Sequence, residues 1–312
     1  MRLLVPRRAR HVGGAVRAVH AAKAGLAALA LLLAAGCAGG GEDPGDGADG
    51  AGSTDGAGDG TGAEGERWRP EPGLAWQWQL SGELDLDVDV PVYDIDGFDH
   101  DASVVEELHA RGVRVICYVN VGAWEDWRPD AGAFPASLRG LGNGWEGEQW
   151  LDIRQLDTLR PLIAARFDMC RDKGFDAVEP DLLDGWINDT GFPLTGEDQL
   201  AFNRMVSSLA RERGLAVGLK NDLDQIPELL DDFDFAVNEE CAAFGECARL
   251  SPFIDAGKAV FHVEYDLPAE EFCAGTEALG LSSMAKNLDL DAWRDPCAVP
   301  SLERDPGPVR RE

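Results

Sequence analysis

Positive charge is scarce in this chain. Its 312 residues hold 28 Lys and Arg against 57 Asp and Glu, a formal net charge of −29. Nucleic acid and anionic lipid carry the same sign, so neither is an expected partner. Histidine is also rare: five in all, with His11 and His20 inside the first 36 residues. No Cys-x-x-Cys pair occurs either, which leaves little from which to build a zinc site, and no metal or other cofactor is expected. The apolar run Leu26 to Ala35 covers ten residues, about half of what a membrane-spanning helix needs.

That run has a different use. Residues 1–36 carry six Lys and Arg and no acid, and end in the run and Gly36. A basic start, a short apolar stretch and a small-residue junction describe a signal peptide. Leu33-Ala34-Ala35-Gly36-Cys37 resembles the bacterial lipobox, which implies lipidation of Cys37 and an extracytoplasmic protein held on the cell membrane by a lipid anchor alone. A plain secretory signal is the alternative. Arg7-Arg8 hints at twin-arginine export, but the hydrophobic residues that should follow the pair are absent. Residues 38–66 contain 12 Gly and eight Asp and Glu, with no Lys, Arg or aromatic. Such a segment buries too little apolar surface to order itself and reads as a tether. The expected organisation is therefore signal peptide 1–36, lipidated Cys and linker 37–67, one domain over 68–300, and a loose tail 301–312. Losing the six cationic residues takes the formal charge from −29 to −35, which suits either a cationic substrate or solubility.

Six further cysteines, Cys117, Cys170, Cys241, Cys247, Cys273 and Cys297, are an even number in an exported chain and favour disulfides. Proximity suggests Cys241–Cys247 and Cys273–Cys297. Cys117, in a strand, is then left for Cys170, on a helix expected to pack near it.

Eight strand-like segments recur along the domain: 76–80, 90–94, 113–120, 175–178, 215–221, 235–239, 259–264 and 281–286. Helical periodicity falls between several of them, at 103–111, 157–173 and 200–213. Run 113–120 is almost continuously apolar, as in a buried parallel strand. Count and order predict an α/β fold, a (β/α)8 TIM barrel. The alternative is an open doubly wound sheet, but no glycine-rich phosphate loop follows the first strand.

In a barrel, chemistry sits at the carboxyl ends of the strands. Those ends carry Asp94, Tyr118, Glu179 and Asp181, Lys220 and Asn221, Glu239 and Glu240, and Glu264 and Tyr265. Trp76, Trp78, Trp124, Trp127, Trp145, Trp150 and Trp186 lie in or beside the adjoining loops. Sugar rings offer apolar faces to such rings, and paired carboxylates are what glycosidic hydrolysis requires. Trp186, just beyond Asp181, is the favoured stacking contact. If Phe235, Val237 and Glu239 share one face, Glu239 points inward and Glu240 does not; the competing reading gives Glu239 a structural ion pair with Lys220.

The motifs WQWQL, VICYVNVGAWEDWR, GFDAVEPDLLDGW, GLKNDLDQ, FAVNEEC and AVFHVEY occur in this order over about residues 74–290. In them the chain resembles glycoside hydrolase family 114, the endo-α-1,4-polygalactosaminidase and spherulin-4-like group. The resemblance implies an endo-acting hydrolase of α-1,4-linked galactosamine polymers, a cationic polysaccharide partner, and Asp181 with Glu239 as the catalytic pair. It further implies substrate contacts at Asp94, Tyr118, Lys220, Asn221 and Glu264. Leu182-Leu183 departs from the Asn-Val expected after the aspartate, which bears on loop geometry and substrate choice. A monomer is expected. A polysaccharide-binding envelope lipoprotein without activity is the alternative of a different class.

Overall fold

The computed structural model describes residues 67–298. The expected signal peptide, the lipidation site Cys37, nearly all of the linker and the tail 301–312 lie outside the described residues. Eight parallel strands follow one another around the sheet in chain order: β1 (Trp76–Gln79), β2 (Val92–Asp96), β3 (Arg114–Asn120), β6 (Ala177–Asp181), β7 (Ala216–Lys220), β8 (Phe235–Glu239), β9 (Val260–Glu264) and β10 (Ser282–Lys286). A short hairpin, β4 (Ala123–Glu125) with β5 (Glu148–Trp150), interrupts the count, and β11 (Arg294–Pro296) runs antiparallel along β10. Helices α1 (Ala102–Ala110), α2 (Leu156–Asp172), α3 (Gly196–Arg211), α4 (Ile226–Leu229), α5 (Ser251–Asp255) and α6 (Ala269–Ala278) complete a (β/α)8 barrel.

Alternation along each strand divides the core in two. Trp76, Trp78, Val92, Ile116, Ala177, Ala216, Phe235, Val237, Phe261, Val263 and Met284 pack together inside the barrel. The opposite faces, with Ile95, Val115, Cys117, Val178, Val217 and Val260, form a larger layer with Phe167, Phe202, Val206 and other helix residues. Trp68 caps the interior with its ring 6.4 Å from that of Phe235, while Arg67 grips Asp234 through two hydrogen bonds of 2.9 and 2.8 Å. Arg67, which the sequence reading left in the linker, is thus fastened to the folded body.

β1 and β10 do not share a ladder; side chains and a loop bridge them. Trp76 Nε1 donates to the Ser282 carbonyl at 3.0 Å, Arg294 Nη2 to the Trp76 carbonyl at 2.9 Å, and Leu80 N–H to the Leu290 carbonyl at 2.9 Å. Disulfides join Cys117 to Cys170, Cys241 to Cys247 and Cys273 to Cys297. Two are the pairs that proximity suggested, and Cys117–Cys170 is the pair that these left.

Two strands sit later than the sequence reading placed them. The second runs to Asp96, and the fourth extends through Glu179-Pro180-Asp181. Hydrogen bonding to β3 carries β6 that far, with Val119 opposite Pro180 and Asn120 opposite Asp181. On the other side its pairing with β7 stops at Val178, before Pro180, which has no N–H to give. No helix of the described residues is long and apolar enough to cross a membrane.

Candidate active site

The alternation that packs the barrel also loads its mouth. Continuing the inward faces upward gives Asp94 after Val92, Tyr118 after Ile116, Glu179 and Asp181 after Ala177, Lys220 after Ala216, and Glu239 after Val237. Glu239 is therefore the inward acid, and Glu240 turns away with φ of 61°. The top of the interior holds ionisable groups where the bottom holds aromatics.

Lys220 organises them. Its Nζ lies 3.0 Å from Glu179 Oε1, 3.0 Å from Asp181 Oδ1 and 3.4 Å from Glu239 Oε2, and 4.6 Å above the Trp78 ring. Burial alone would push this ammonium down; the charges of Asp181, Glu179 and Glu239 together outweigh it and hold the group well above the ordinary lysine range. The ion pair between Lys220 and Glu239, weighed as a competing role, is thus present in a glutamate that also faces the cleft. Contacts of 3.0 and 3.4 Å to one nitrogen keep the Asp181 and Glu239 oxygens within 6.4 Å of each other.

Each member of the pair has its own donors. Asp181 accepts from Tyr118 Oη at 2.8 Å and from the Leu182 N–H at 2.8 Å. Leu182 reaches that position in a left-handed conformation, φ 63°. Glu239 accepts from Asn221 Nδ2 at 3.2 Å and from the Tyr265 hydroxyl, while its own N–H is held by Asn221 Oδ1 at 3.0 Å. Burial, then the charge of Asp181, raises the Tyr118 hydroxyl well above the usual range, and burial with Glu239 does the same to Tyr265. Both therefore stay protonated donors.

Asp94 lies beneath, fully buried, and neither of its oxygens meets an N–H or hydroxyl donor. Its contact is the Glu179 carboxyl. Two carboxyls hydrogen-bond only with a proton between them, and burial followed by the charge of Glu179 pushes Asp94 well above the carboxylate range. A proton held on Asp94 would bridge the pair and leave the Glu179 charge facing Lys220.

These groups floor a cleft of about 420 Å³ whose lining includes Trp78, Tyr118, Asp181, Lys220, Glu239 and Tyr265. Trp127 and Trp145, 52% and 55% exposed, and Leu288 also line it. Four expected contacts fall elsewhere. Asp94 is under the floor, and Asn221 braces Glu239 without itself lining the cleft. Glu264 has the opposite parity to Val263: it faces the outer layer, bonded to His262 Nε2 at 2.9 Å and to the Ala242 N–H at 2.7 Å. Trp186 lines a separate hollow of about 540 Å³ with Leu200 and Gln225, its indole N–H fixed on Asp222 at 3.0 Å. That larger hollow contains none of the strand-end acids of β6 and β8, so the chemistry belongs to the smaller cleft.

Of the other tryptophans, Trp76 and Trp150 are buried, and Trp124 is half-buried beneath the Arg139 guanidinium. Tyr265, one step past a strand end, is in phase with Val263, and of the two residues read at that end it, not Glu264, lines the cleft; Glu148 on the β4–β5 hairpin is the lining residue that the sequence reading missed. Alternation carried one residue beyond β9 selects Tyr265 over Glu264. The hairpin offered no such period. Cys241, Cys247 and His262 approach one another closely, as do Cys273, Glu277 and Cys297, but in each group the sulfurs are spent in a disulfide.

The model of glycoside-hydrolase family GH114 matches residues 59–301. The chain belongs to this family. As a GH114 member it is a glycoside hydrolase on a TIM barrel. It is similar to Ega3 of Aspergillus fumigatus, whose crystal structure is a complex with galactosamine: 36% identity, 74% of this chain and 98% of that one covered, TM-score 0.70. The glycoside hydrolase domain of PelA from Pseudomonas aeruginosa shares the fold at 17% identity, with 70% of this chain and 97% of that one covered and a TM-score of 0.56. No curated protein matches.

Proposed function

We propose that this GH114 hydrolase cuts α-1,4-linked galactosamine-containing polysaccharide internally and with retention, using Asp181 and Glu239. The observation that carries the reading is the contact of one ammonium, Lys220, with both carboxylates. It brings their nearest oxygens within 6.4 Å of each other, a limit that accommodates the spacing of about 5–5.5 Å used by retaining enzymes. The acidic cleft and the galactosamine bound to Ega3 support an amino-sugar substrate.

The roles follow from the donors. Asp181 receives a close ammonium, a hydroxyl and a backbone N–H, a set that holds its carboxylate in place and suits a nucleophile. Glu239, more exposed and with the longer ammonium contact, is the acid and base. Asp181 attacks the anomeric carbon while the bond to the leaving oxygen breaks and Glu239 gives that oxygen its proton. Water then attacks the same carbon, loses a proton to Glu239 and frees the Asp181 carboxylate. Leu33 to Cys37 supports a place outside the cytoplasm on a lipid anchor, tested by the mass of the N-terminal peptide in wild-type and Cys37→Ala protein.

The test of mechanism is release of reducing ends from partly deacetylated α-1,4-galactosamine polymer, with azide added to alanine variants. Asp181→Ala should yield the β-azide and Glu239→Ala the α-azide. The reverse pattern would exchange the two roles, and a wild-type protein that releases no ends would end the proposal.

A further inference from the structure

Resting on that reading, we propose that Glu148 receives the free amine of the sugar bound beside Asp181 and makes the cleft select amino sugars over their N-acetyl forms. Most other acids of the cleft are already committed. Asp96 holds Arg128 through two bonds of 3.0 and 2.6 Å, and Glu125 pairs with Arg128 at 2.8 Å and Arg166 at 3.4 Å. Asp181 and Glu239 share Lys220. Asp99 and Asp289 stand exposed at the rim, where water competes for any charge they meet.

Glu148 differs. It is half-buried in the cleft wall, and its hydrogen bonds among the described residues come from neutral amides: Asn143 Nδ2 at 2.6 Å and Asn120 Nδ2 at 3.3 Å. Both donate to Oε2, which leaves Oε1 for the cleft. The two latches fix the carboxylate in place without neutralising it, so its orientation is set before a ligand arrives. Asn120 sits opposite Asp181 in the strand register, which puts Glu148 beside the attacking group, and the Asp181 charge is felt there. Burial already pushes the Glu148 carboxyl up; an ammonium would relieve that burden, whereas an acetamide would not. The hairpin is built for closeness. Gly147, at φ 86°, lies so close to its neighbours that a Cβ there would sit 2.7 Å from Asp126 Oδ1 and 2.9 Å from the Trp127 ring. Trp127 and Glu148 line the same cleft, so a sugar stacked on Trp127 would share it with the Glu148 carboxylate.

The experiment compares KM and kcat on α-1,4-galactosamine oligomers and on the same oligomers after chemical N-acetylation, for wild type, Glu148→Gln and Glu148→Asp. Gln keeps an acceptor for both amides and loses only the charge. A hydrogen bond to a charged group contributes enough that its loss should raise KM on the free-amine oligomer roughly tenfold or more. The acetylated oligomer should keep its KM, kcat should hold within about threefold, and Glu148→Asp should retain the preference for amine that Gln loses. An unchanged preference in Glu148→Gln would overturn the assignment; should that variant fold poorly, wild type binding both oligomers with equal KM would overturn it as well. In either case cleavage by the wild type leaves the parent reading standing. Absence of cleavage by the wild type refutes both.

Discussion

Replacing Lys220 by Met tests the electrostatic reading of the site most directly. Methionine fills much of the same volume beside Trp78 but leaves Glu179, Asp181 and Glu239 without the cation that touches all three. The Lys220 side chain is 3% exposed, so water screens little of the loss. Removing one partner of a buried pair costs about 3–5 kcal/mol. For a domain of this size that corresponds to a fall in Tm of about 6–20 °C. The sign with pH is fixed by proton uptake. Without the ammonium the three carboxyls take up protons more readily in the folded state than in the unfolded one, so stability falls as pH rises through and above the carboxylate range. Urea unfolding near pH 7.5 should therefore show the full loss, and near pH 4.5 a much smaller one, with hydrolysis lost at both. A loss below about 1 kcal/mol near pH 7.5, or the same loss at both values, would refute the reasoning.

Three other substitutions have outcomes set by the same geometry. Asp94→Asn can give Glu179 the hydrogen that a protonated Asp94 supplies, so it should keep stability within about 1 kcal/mol, while Asp94→Ala, leaving a buried acceptor unmet and a void, should lose about 2–4 kcal/mol by urea unfolding. Because the folded state holds the Asp94 proton more tightly than the unfolded chain, wild-type stability should decline as pH rises above about 4, and less steeply in Asp94→Asn. Tyr118→Phe removes the hydroxyl at 2.8 Å from Asp181; kcat should drop about 10- to 100-fold with KM little changed, since a hydrogen bond to a charged group contributes about 1.5–3 kcal/mol. Gly122→Ala would set a Cβ 2.0 Å from the Leu182 carbonyl oxygen. That clash should displace the loop carrying Asp181, costing activity and several degrees of Tm in thermal unfolding.

The barrel was legible because its strands are apolar and end on acids, and the parity of Phe235, Val237 and Glu239 selected the inward glutamate correctly. The same rule applied one strand later would have excluded Glu264, whose neighbour Val263 belongs to the interior. Strand ends were read there by position alone, which does not distinguish the two faces. Trp186 misled for a related reason: nearness in sequence to Asp181 does not fix direction, and its indole N–H turns to Asp222 in the next hollow. The hairpin with Glu148 was unreadable because its strands are three residues each, too short for any period to show. Boundaries of β2 and β6 slipped because polar residues at their ends read as turns, whereas backbone pairing to β3 carries both strands on.

The seam between β1 and β10 bears on how the enzyme comes into being. Trp76 is tied to Ser282, 206 residues away, and Leu290, which closes the gap against Leu80, also belongs to the wall of the cleft. The site is therefore completed by nearly the last part of the barrel to be synthesised, through contacts of very long sequence separation, which form slowly because a long loop must close first. Until residues 290–294 dock, the chain carries a collected set of acids and an ammonium without the part of the cleft lining that Leu290 supplies. Assembly of the catalytic mouth and closure of the barrel are the same event, and hydrolysis should appear only with the slowest phase of refolding.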